Sequence, residues 1–194
     1  MHTSNFEKHT TGNPISRYFL NNFTNVLVEE IKKLQPESIL DVGAGEGFIL
    51  QKLHDNAIGK KLEGIEYMDE AIALGKVMHP QIHLKQGDIY HLPHKDNSFD
   101  VVICSEVLEH LENLQEALQE LVRVSKRYCV LSVPNEPYFT LQRIARGKNL
   151  LKLGDHPEHI QHWTSGAFRN FVDRQLKIVS LRSPIPWTLV VGAK

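Results

Sequence analysis

The sequence predicts an α/β fold of the Rossmann-like, doubly wound kind, with helices on both faces of a mostly parallel sheet whose last strand is antiparallel. Three observations predict it. Short apolar segments alternate with amphipathic ones between residues 38 and 134. The connections are only a few residues long, which indicates βαβ crossovers and a parallel sheet. The apolar segments are nearly continuous, as in strands that are covered on both faces.

The predicted elements follow a polar lead-in at residues 1–14. Apolar residues recur at helical spacing from Ile15 to Leu34, so we expect a helix there that ends before Pro36. Five segments beyond it are typical of buried strands: SILDV (38–42), LEGIEY (62–67), IHLKQGD (82–88), FDVVICS (99–105) and RYCVLSVP (127–134). Three segments between them are predicted helices: FILQKLHD (48–55), DEAIALGKVM (69–78), with Asp69 as its N-cap, and NLQEALQELVRVS (113–125).

The alternation ends after Pro134. Residues 135–164 contain no obvious strand, SGAFRNFVDRQ (165–175) resumes a helix, and LKIVSL (176–181) and WTLVVGA (187–193) are predicted as a closing pair of strands. We expect a single domain over residues 1–194. Its parts are an N-terminal arm and helix (1–36), the alternating half (37–134), an insertion (135–164) and the closing helix and strands (165–194).

Composition narrows the class of protein. The formal net charge is −1, so no overall basic field favours nucleic acid as a partner. No stretch approaches the roughly 18 apolar residues of a membrane span, and no apolar leader is seen, so we expect no membrane span and a cytoplasmic setting. Cys104 and Cys129 lie in apolar runs, which predicts reduced thiols in the core. The oligomeric state is left open.

The segment LDVGAGEGF (40–48) has the composition of a ligand-binding turn between a strand and a helix. Its three glycines, Gly43, Gly45 and Gly47, permit positive φ angles and close approach of the backbone to a ligand. Dinucleotide-binding turns have a third glycine where this chain has Phe48, and Glu46 at the helix start would repel a diphosphate. The turn therefore disfavours NAD and favours a ligand without phosphates, or one that carries positive charge.

Four segments together resemble the class I S-adenosylmethionine-dependent methyltransferases that carry a type 11 methyltransferase domain. ILDVGAGEGFIL is similar to the first motif of that family, Glu66 ends the second strand as its ribose-binding acid does, QGDIYHLP resembles its adenine segment, and FDVVICSEVLEHL resembles its fourth-strand motif. The resemblance implies S-adenosylmethionine as cofactor. The implied contacts are Asp41, Gly43, Ala44 and Gly45 at the amino-acid end, Glu66 on the ribose, Tyr67, Asp88 and the Ile89 N–H at the adenine, and Glu106 near the methionine.

The segment SEVLEHLE (105–112) holds Glu106, Glu109 and His110 at a spacing of i, i+3 and i+4, which places them on one side of a helix. Two interpretations stay open. In the first, Glu109 and His110 are solvated while the apolar residues of the segment pack inward. In the second, a resemblance to magnesium- or manganese-dependent 2′-O-methyltransferases of small-RNA 3′ ends implies a Mg or Mn site of Glu106, Glu109, His110 and His159. The neutral charge of the chain does not support RNA as the substrate.

The activity implied by the resemblance is methyl transfer to a small or medium-sized acceptor, with a hydroxyl as the expected methylation site and His110 as the candidate catalytic residue. The insertion, including a predicted helix YFTLQRIAR (138–146), is expected over the acceptor or at a membrane surface. Phe6, His9 and Tyr18 are candidates for an N-terminal lid, although helix packing or a loose arm is the favoured interpretation. The alternatives are a catalytically silent S-adenosylmethionine-binding partner protein and a nucleotide-dependent oxidoreductase.

Overall fold

The structure, a computed structural model, describes residues 3–136, 138 and 160–194. These residues contain seven strands in one sheet: β1 (Ser38–Val42), β2 (Lys61–Glu66), β3 (His83–Gln86), β4 (Phe99–Ser105), β5 (Ser125–Pro134), β6 (Lys177–Arg182) and β7 (Trp187–Ala193). The described helices are α1 (Ser4–His9), α2 (Pro14–Leu34), α3 (Phe48–Asp55), α4 (Asp69–Met78), a short 3₁₀ helix (Leu108–His110), α5 (Leu114–Val124) and α6 (Ser165–Val172).

The order of strands across the sheet is β3-β2-β1-β4-β5-β7-β6. Strands β1 to β5 pair in parallel, and β7 is antiparallel to both of its neighbours. This confirms the predicted mostly parallel, doubly wound sheet with an antiparallel last strand. The strand order reverses between β1 and β4, and a crevice beside such a reversal is where open α/β sheets bind ligands.

Each face of the sheet is covered by helices, because strand side chains alternate between two apolar clusters. Val102 and Cys104 of β4 point into the cluster under α5 and α6, whereas Val101 and Ile103 point into the cluster under α2, α3 and α4. Cys104 and Cys129 are buried free thiols, and burial raises the pKa of Cys129 to about 12. Both cysteines are therefore protonated core residues, as the sequence predicts.

Some boundaries differ from the predicted ones. The lead-in contains the helix α1, capped by the hydroxyl of Thr3, which accepts a hydrogen bond from the Phe6 N–H. Asp69 is the first residue of α4, and Met68, which has no capping side chain, is its N-cap. The predicted lid helix (138–146) lies outside the described residues apart from Tyr138. Within the described part of the chain, no helix is both long and apolar enough to cross a membrane.

The packing of α4 gives a test of the fold at a single glycine. A Cβ at Gly75 would lie 2.4 Å from Leu84 Cδ1 and 2.7 Å from the backbone oxygen of Glu46. Alanine favours a helix by about 1 kcal/mol over glycine, but this clash involves backbone and should dominate. We expect Gly75→Ala to lower the free energy of unfolding by about 1–3 kcal/mol, measured by urea titration.

Gly166 in α6 is the matched control, since a Cβ there meets nothing within 4 Å. We expect Gly166→Ala to leave the free energy of unfolding unchanged or to raise it by up to about 1 kcal/mol. Equal stability of the two variants would contradict the described packing of α4 on β3.

Candidate functional site

The candidate site lies at the carboxyl edge of the parallel strands, beside the reversal of strand order. The glycine turn follows β1, Glu66 ends β2, and Glu106 follows β4. Trp187 reaches the same edge because β7 is antiparallel, which pairs its first residue with Pro134 at the end of β5. The fold thus brings together side chains that are far apart in the sequence.

The glycine turn is held by the end of β2. The backbone N–H groups of Gly43 and Ala44 donate to the Ile65 carbonyl at 2.8 and 3.0 Å, and the Gly45 N–H donates to Glu66 Oε2 at 2.8 Å. Gly43 has a φ of 77°, and a Cβ there would lie 2.3 Å from Val107 Cγ2. Glycine at this position is therefore required both by the turn and by the segment that follows β4.

The carboxylate of Glu66 joins the turn to the loop after β2. Its Oε2 accepts from Gly45, and its Oε1 accepts from the N–H groups of Tyr67 and Met68 at 2.8 and 2.9 Å. An ionised carboxylate has about four acceptor positions, so these three bonds orient Glu66 and leave one position for a ligand. The Tyr67 side chain is 74% exposed at the mouth of the site.

Asp41 lies beneath the turn as a buried carboxyl without a partner. It is 1% exposed, and neither of its oxygens has a hydrogen-bond donor within the described residues. Burial, with a smaller contribution from the neighbouring Glu66, raises the pKa of Asp41 to about 7. A cationic group placed beside Asp41 would stabilise its charged form.

The segment after β3 forms a tight turn rather than the longer strand that the sequence predicts. Asp88 Oδ1 accepts from the Tyr90 N–H at 2.9 Å, while Oδ2 makes only a 3.9 Å approach to His91. Ile89 is buried, and its backbone N–H has no acceptor within the described residues.

The segment after β4 differs from the predicted helix. Glu106 has a φ of 61°, a left-handed conformation that is rare for a residue with a side chain, and only Leu108–His110 is helical. Glu106, Glu109 and His110 therefore do not share one helix face. The solvated interpretation is also wrong for Glu109, which is 1% exposed, whereas His110 is exposed.

The two glutamates after β4 have different surroundings. Glu106 Oε2 accepts from the indole N–H of Trp187 and lies 3.4 Å from Lys8 Nζ. Glu109 Oε2 is buried without a partner in the described residues, and burial, together with the charge of Glu106, raises the pKa of Glu109 well above its usual range. The peptide carbonyl of Glu109 accepts from the N–H groups of Ile160 and Gln161, which fixes the segment before α6 over it.

The described residues include no group of three or more histidine, cysteine or acidic side chains arranged to hold a metal ion. His159, the fourth predicted ligand, lies outside the described residues. The four-residue metal site therefore stays a prediction.

Helix α1 packs over the site, as in the lid interpretation that the sequence analysis considered but did not favour. Thr3 and Asn5 donate to the two oxygens of Glu46, which is fully buried, and His9 stacks on Phe48 with ring centroids 4.2 Å apart. Glu46 thus anchors the N-terminal arm instead of facing a ligand. Of the three lid candidates, His9 is packed into the site, whereas Tyr18 is 69% exposed.

Helix α1 leaves a small cavity at the centre of the site, and His9 is packed against it as a neutral ring. Burial, with nearby Lys8 and His79, lowers the pKa of His9 to about 3. The cavity is lined by α1, α2, the glycine turn and the end of β4, including Lys8, Phe23, Gly43, Ala44 and Glu106. Lys8 and Trp187 are the functional candidates that sequence reasoning missed. Each lies in an unremarkable stretch of sequence, so only the contacts reveal them.

Three comparisons with known proteins agree with this geometry. Residues 40–132 match the family model described as "Methyltransferase domain", type 11. A probable S-adenosylmethionine-dependent methyltransferase of Mycolicibacterium smegmatis is 29% identical over 104 residues, which are 53% of this chain and 40% of that protein. A ubiquinone biosynthesis O-methyltransferase of Rickettsia bellii is 34% identical over 108 residues, 51% of this chain and 43% of that protein. The chain thus matches less than half of the length of either relative.

A similar fold occurs in a solved structure, that of magnesium protoporphyrin IX methyltransferase from Synechocystis PCC 6803 with bound SAH. It superposes with a TM-score of 0.71 at 15% sequence identity and covers 97% of this chain and 91% of that one. At this level of identity the similarity concerns the fold.

The buried carboxyl of Asp41 predicts a pH-dependent stability in the absence of ligand. Its folded pKa of about 7 lies above the usual value of about 3.9. The stabilisation from its bound proton is therefore present below pH 4 and is lost as the pH rises to 7. Because one unit corresponds to 1.36 kcal/mol, we expect Asp41→Asn to be more stable than the parent by at most about 4 kcal/mol at pH 8, and by much less at pH 4, in urea titrations at each pH.

Asp100 is the control of opposite sign. Although partial burial opposes its charged form, hydrogen bonds from Ser38 and from the Glu37 N–H hold the pKa of Asp100 below its usual value. Asp100→Asn should lose stability relative to the parent as the pH rises. If both variants respond to pH alike, the assignment of Asp41 as an unpaired buried acid is wrong.

Proposed function

We propose that this chain, a class I S-adenosylmethionine-dependent methyltransferase with its type 11 methyltransferase domain at residues 40–132, transfers the methyl group of its cofactor to a hydroxyl of a small or medium-sized acceptor. One observation carries the proposal. A carboxyl side chain lies within two residues of the carboxyl end of each of the strands β1 to β4, all at the edge that holds the glycine turn: Asp41, Glu66, Asp88 and Glu106.

The cofactor fits this edge by charge and by donor pattern. Its ammonium and sulfonium groups are positive, and Asp41 is a buried carboxyl without a donor. Glu66 has one acceptor position left for a ribose hydroxyl. At the adenine end, Asp88 Oδ2 would accept from the amino group and the Ile89 N–H would donate to a ring nitrogen, with the exposed ring of Tyr67 beside them.

The glycine turn also explains why a dinucleotide is the poorer ligand. In dinucleotide-binding turns, backbone N–H groups and the helix N-terminus face the diphosphate. Here the N–H groups of Gly43 and Ala44 donate to the Ile65 carbonyl and that of Gly45 donates to Glu66. The turn therefore presents carboxylate rather than N–H donors to a ligand, which opposes the oxidoreductase alternative.

When bound, the cofactor supplies an already activated methyl group, so the chain mainly has to position the acceptor in line with it and exclude water. Helix α1 covers this edge of the sheet, and it has to move when the cofactor binds. We assign His110 as the base that takes the proton of the acceptor hydroxyl, since it is exposed on the rim after β4. The 34% identity to an O-methyltransferase supports a hydroxyl acceptor.

Isothermal titration tests the cofactor assignment. We expect the chain to bind S-adenosylhomocysteine and not NAD, and Glu66→Gln to weaken binding by about 10-fold or more, because losing one charged hydrogen-bond acceptor costs about 1.5–3 kcal/mol. Glu70→Gln, an exposed acid in the first turn of α4, is the matched control and should bind as the parent does. Tighter binding of NAD than of S-adenosylhomocysteine would overturn the proposal.

Acceptor pools screened with a radiolabelled methyl donor test the reaction. Once an acceptor is found, we expect His110→Ala to lower kcat by about 10²–10⁴-fold with little change in the KM of the cofactor, because a general base acts only in the chemical step. Tight cofactor binding without methylation of any hydroxyl compound would favour the silent binding protein.

Titration of Mg²⁺ or Mn²⁺ against the parent and Glu109→Ala tests the metal hypothesis, which requires heat that the variant lacks.

A further inference from the structure

A positive charge of the chain itself lies in the candidate site. The ammonium of Lys8 lies 3.4 Å from Glu106 Oε2 and 5.2 Å from the centre of the Trp187 ring. A cation within about 6 Å of an indole face is attracted by the quadrupole of the ring. The space between Glu106 and Trp187 therefore accepts a cation in this structure.

This space is built from fixed parts. Trp187 is 5% exposed and packs against Phe23 with ring centroids 4.8 Å apart. Its indole N–H donates to Glu106 Oε2, and the Glu106 backbone N–H donates to the Ser132 carbonyl at 3.1 Å. The left-handed backbone of Glu106 is a strained conformation that these two bonds help to hold.

Two carboxyl oxygens beside this space lack a hydrogen-bond partner among the described residues. Glu106 Oε1 is buried and has no hydrogen-bond partner within the described residues. Glu109 is 1% exposed, has an oxygen without a partner, and interacts electrostatically with both Glu106 and Lys8. One ammonium thus faces two neighbouring carboxyl groups, and the arrangement favours any further cation that enters.

The space adjoins the part of the site where the methyl donor is expected. Lys8, Phe23 and Glu106 line the same cavity as Gly43 and Ala44 of the glycine turn. Helix α1 also fills part of that region, because a Cβ at Gly45 would lie 2.5 Å from Asn5 Nδ2. A ligand that binds along the turn must therefore displace α1 and, with it, Lys8.

We infer that Glu106 and Trp187 form a subsite that recognises the positive charge of the methyl donor, and that Lys8 is the competitor of the donor for this subsite. The inference rests on the proposed function and adds a specificity to it. The donor carries a sulfonium, whereas the product after methyl transfer carries a neutral thioether. The subsite distinguishes the two by charge, and the return of Lys8 after transfer favours release of the product.

The ratio of two dissociation constants tests the inference, measured by isothermal titration of the full chain with S-adenosylmethionine and with S-adenosylhomocysteine. We expect Glu106→Gln to weaken binding of S-adenosylmethionine by about 10-fold, which corresponds to the loss of one charge-assisted contact, and to change binding of S-adenosylhomocysteine by less than about 3-fold. Trp187→Leu should act in the same direction, and Trp187→Phe, which keeps a ring but loses the N–H, should have a smaller effect.

For Lys8→Met we expect a change in affinity of the opposite sign, and this variant does not alter the core. Removing the internal cation should tighten S-adenosylmethionine by about 5-fold or more and S-adenosylhomocysteine less. Lys76→Met, the same change at an exposed position of α4, is the matched control and should alter neither.

Two outcomes separate the inference from the proposed function. If variants at positions 106 and 187 weaken both ligands equally, or if Lys8→Met weakens S-adenosylmethionine, the charge-reading subsite is wrong while the cofactor assignment stands. If the parent chain binds neither ligand, the proposed function itself has failed.

Discussion

The burial of carboxyl groups with too few donors or cations beside them is the constraint on which the site depends. Asp41 and Glu109 are each 1% exposed, and each has at least one oxygen without a donor in the described part of the chain. An unpaired buried carboxylate is costly, so such groups take up a proton or wait for a cation. The raised pKa of both groups follows from this, and so does the affinity that we propose for a cationic cofactor.

The same constraint explains the place of helix α1. The helix and its N-cap supply hydrogen-bond donors to two acids at the sheet edge. Thr3 and Asn5 donate to Glu46, and Lys8 donates to Glu106. The helix is only six residues long, too short to be stable on its own, so its position depends on these contacts and on the stacking of His9 on Phe48. An element held mainly by polar contacts can be exchanged for a ligand that makes equivalent ones.

The sheet explains why these groups meet at all. Parallel strands end at the same edge, and the reversal of strand order between β1 and β4 opens a crevice there. The antiparallel β7 then brings Trp187 to this edge from the other end of the chain. Glu106, Trp187 and Lys8 come from three parts of the sequence that share no motif, and only the folded chain makes them neighbours.

The sequence by itself determined the strands, most of the helices and the glycine turn. Apolar periodicity and glycine spacing are local signals, and in α3 and β4 the predicted and observed bounds agree. Through its resemblance to a known family, it also indicated the acids at the strand ends. The prediction that SEVLEHLE forms one helix face is wrong, although its polar residues have helical spacing. The backbone there is set by the strained Glu106 and by the contact of Val107 with Gly43.

Only the tertiary structure decided which acids are buried, which are paired and which still lack a partner. Glu46, Glu106 and Glu109 are glutamates whose sequence positions do not predict their different surroundings. Glu46 anchors α1, Glu106 contacts Trp187 and Lys8, and Glu109 is buried. The physical reason is that burial and charge pairing depend on neighbours contributed by distant segments. Residue spacing carries no information about those neighbours.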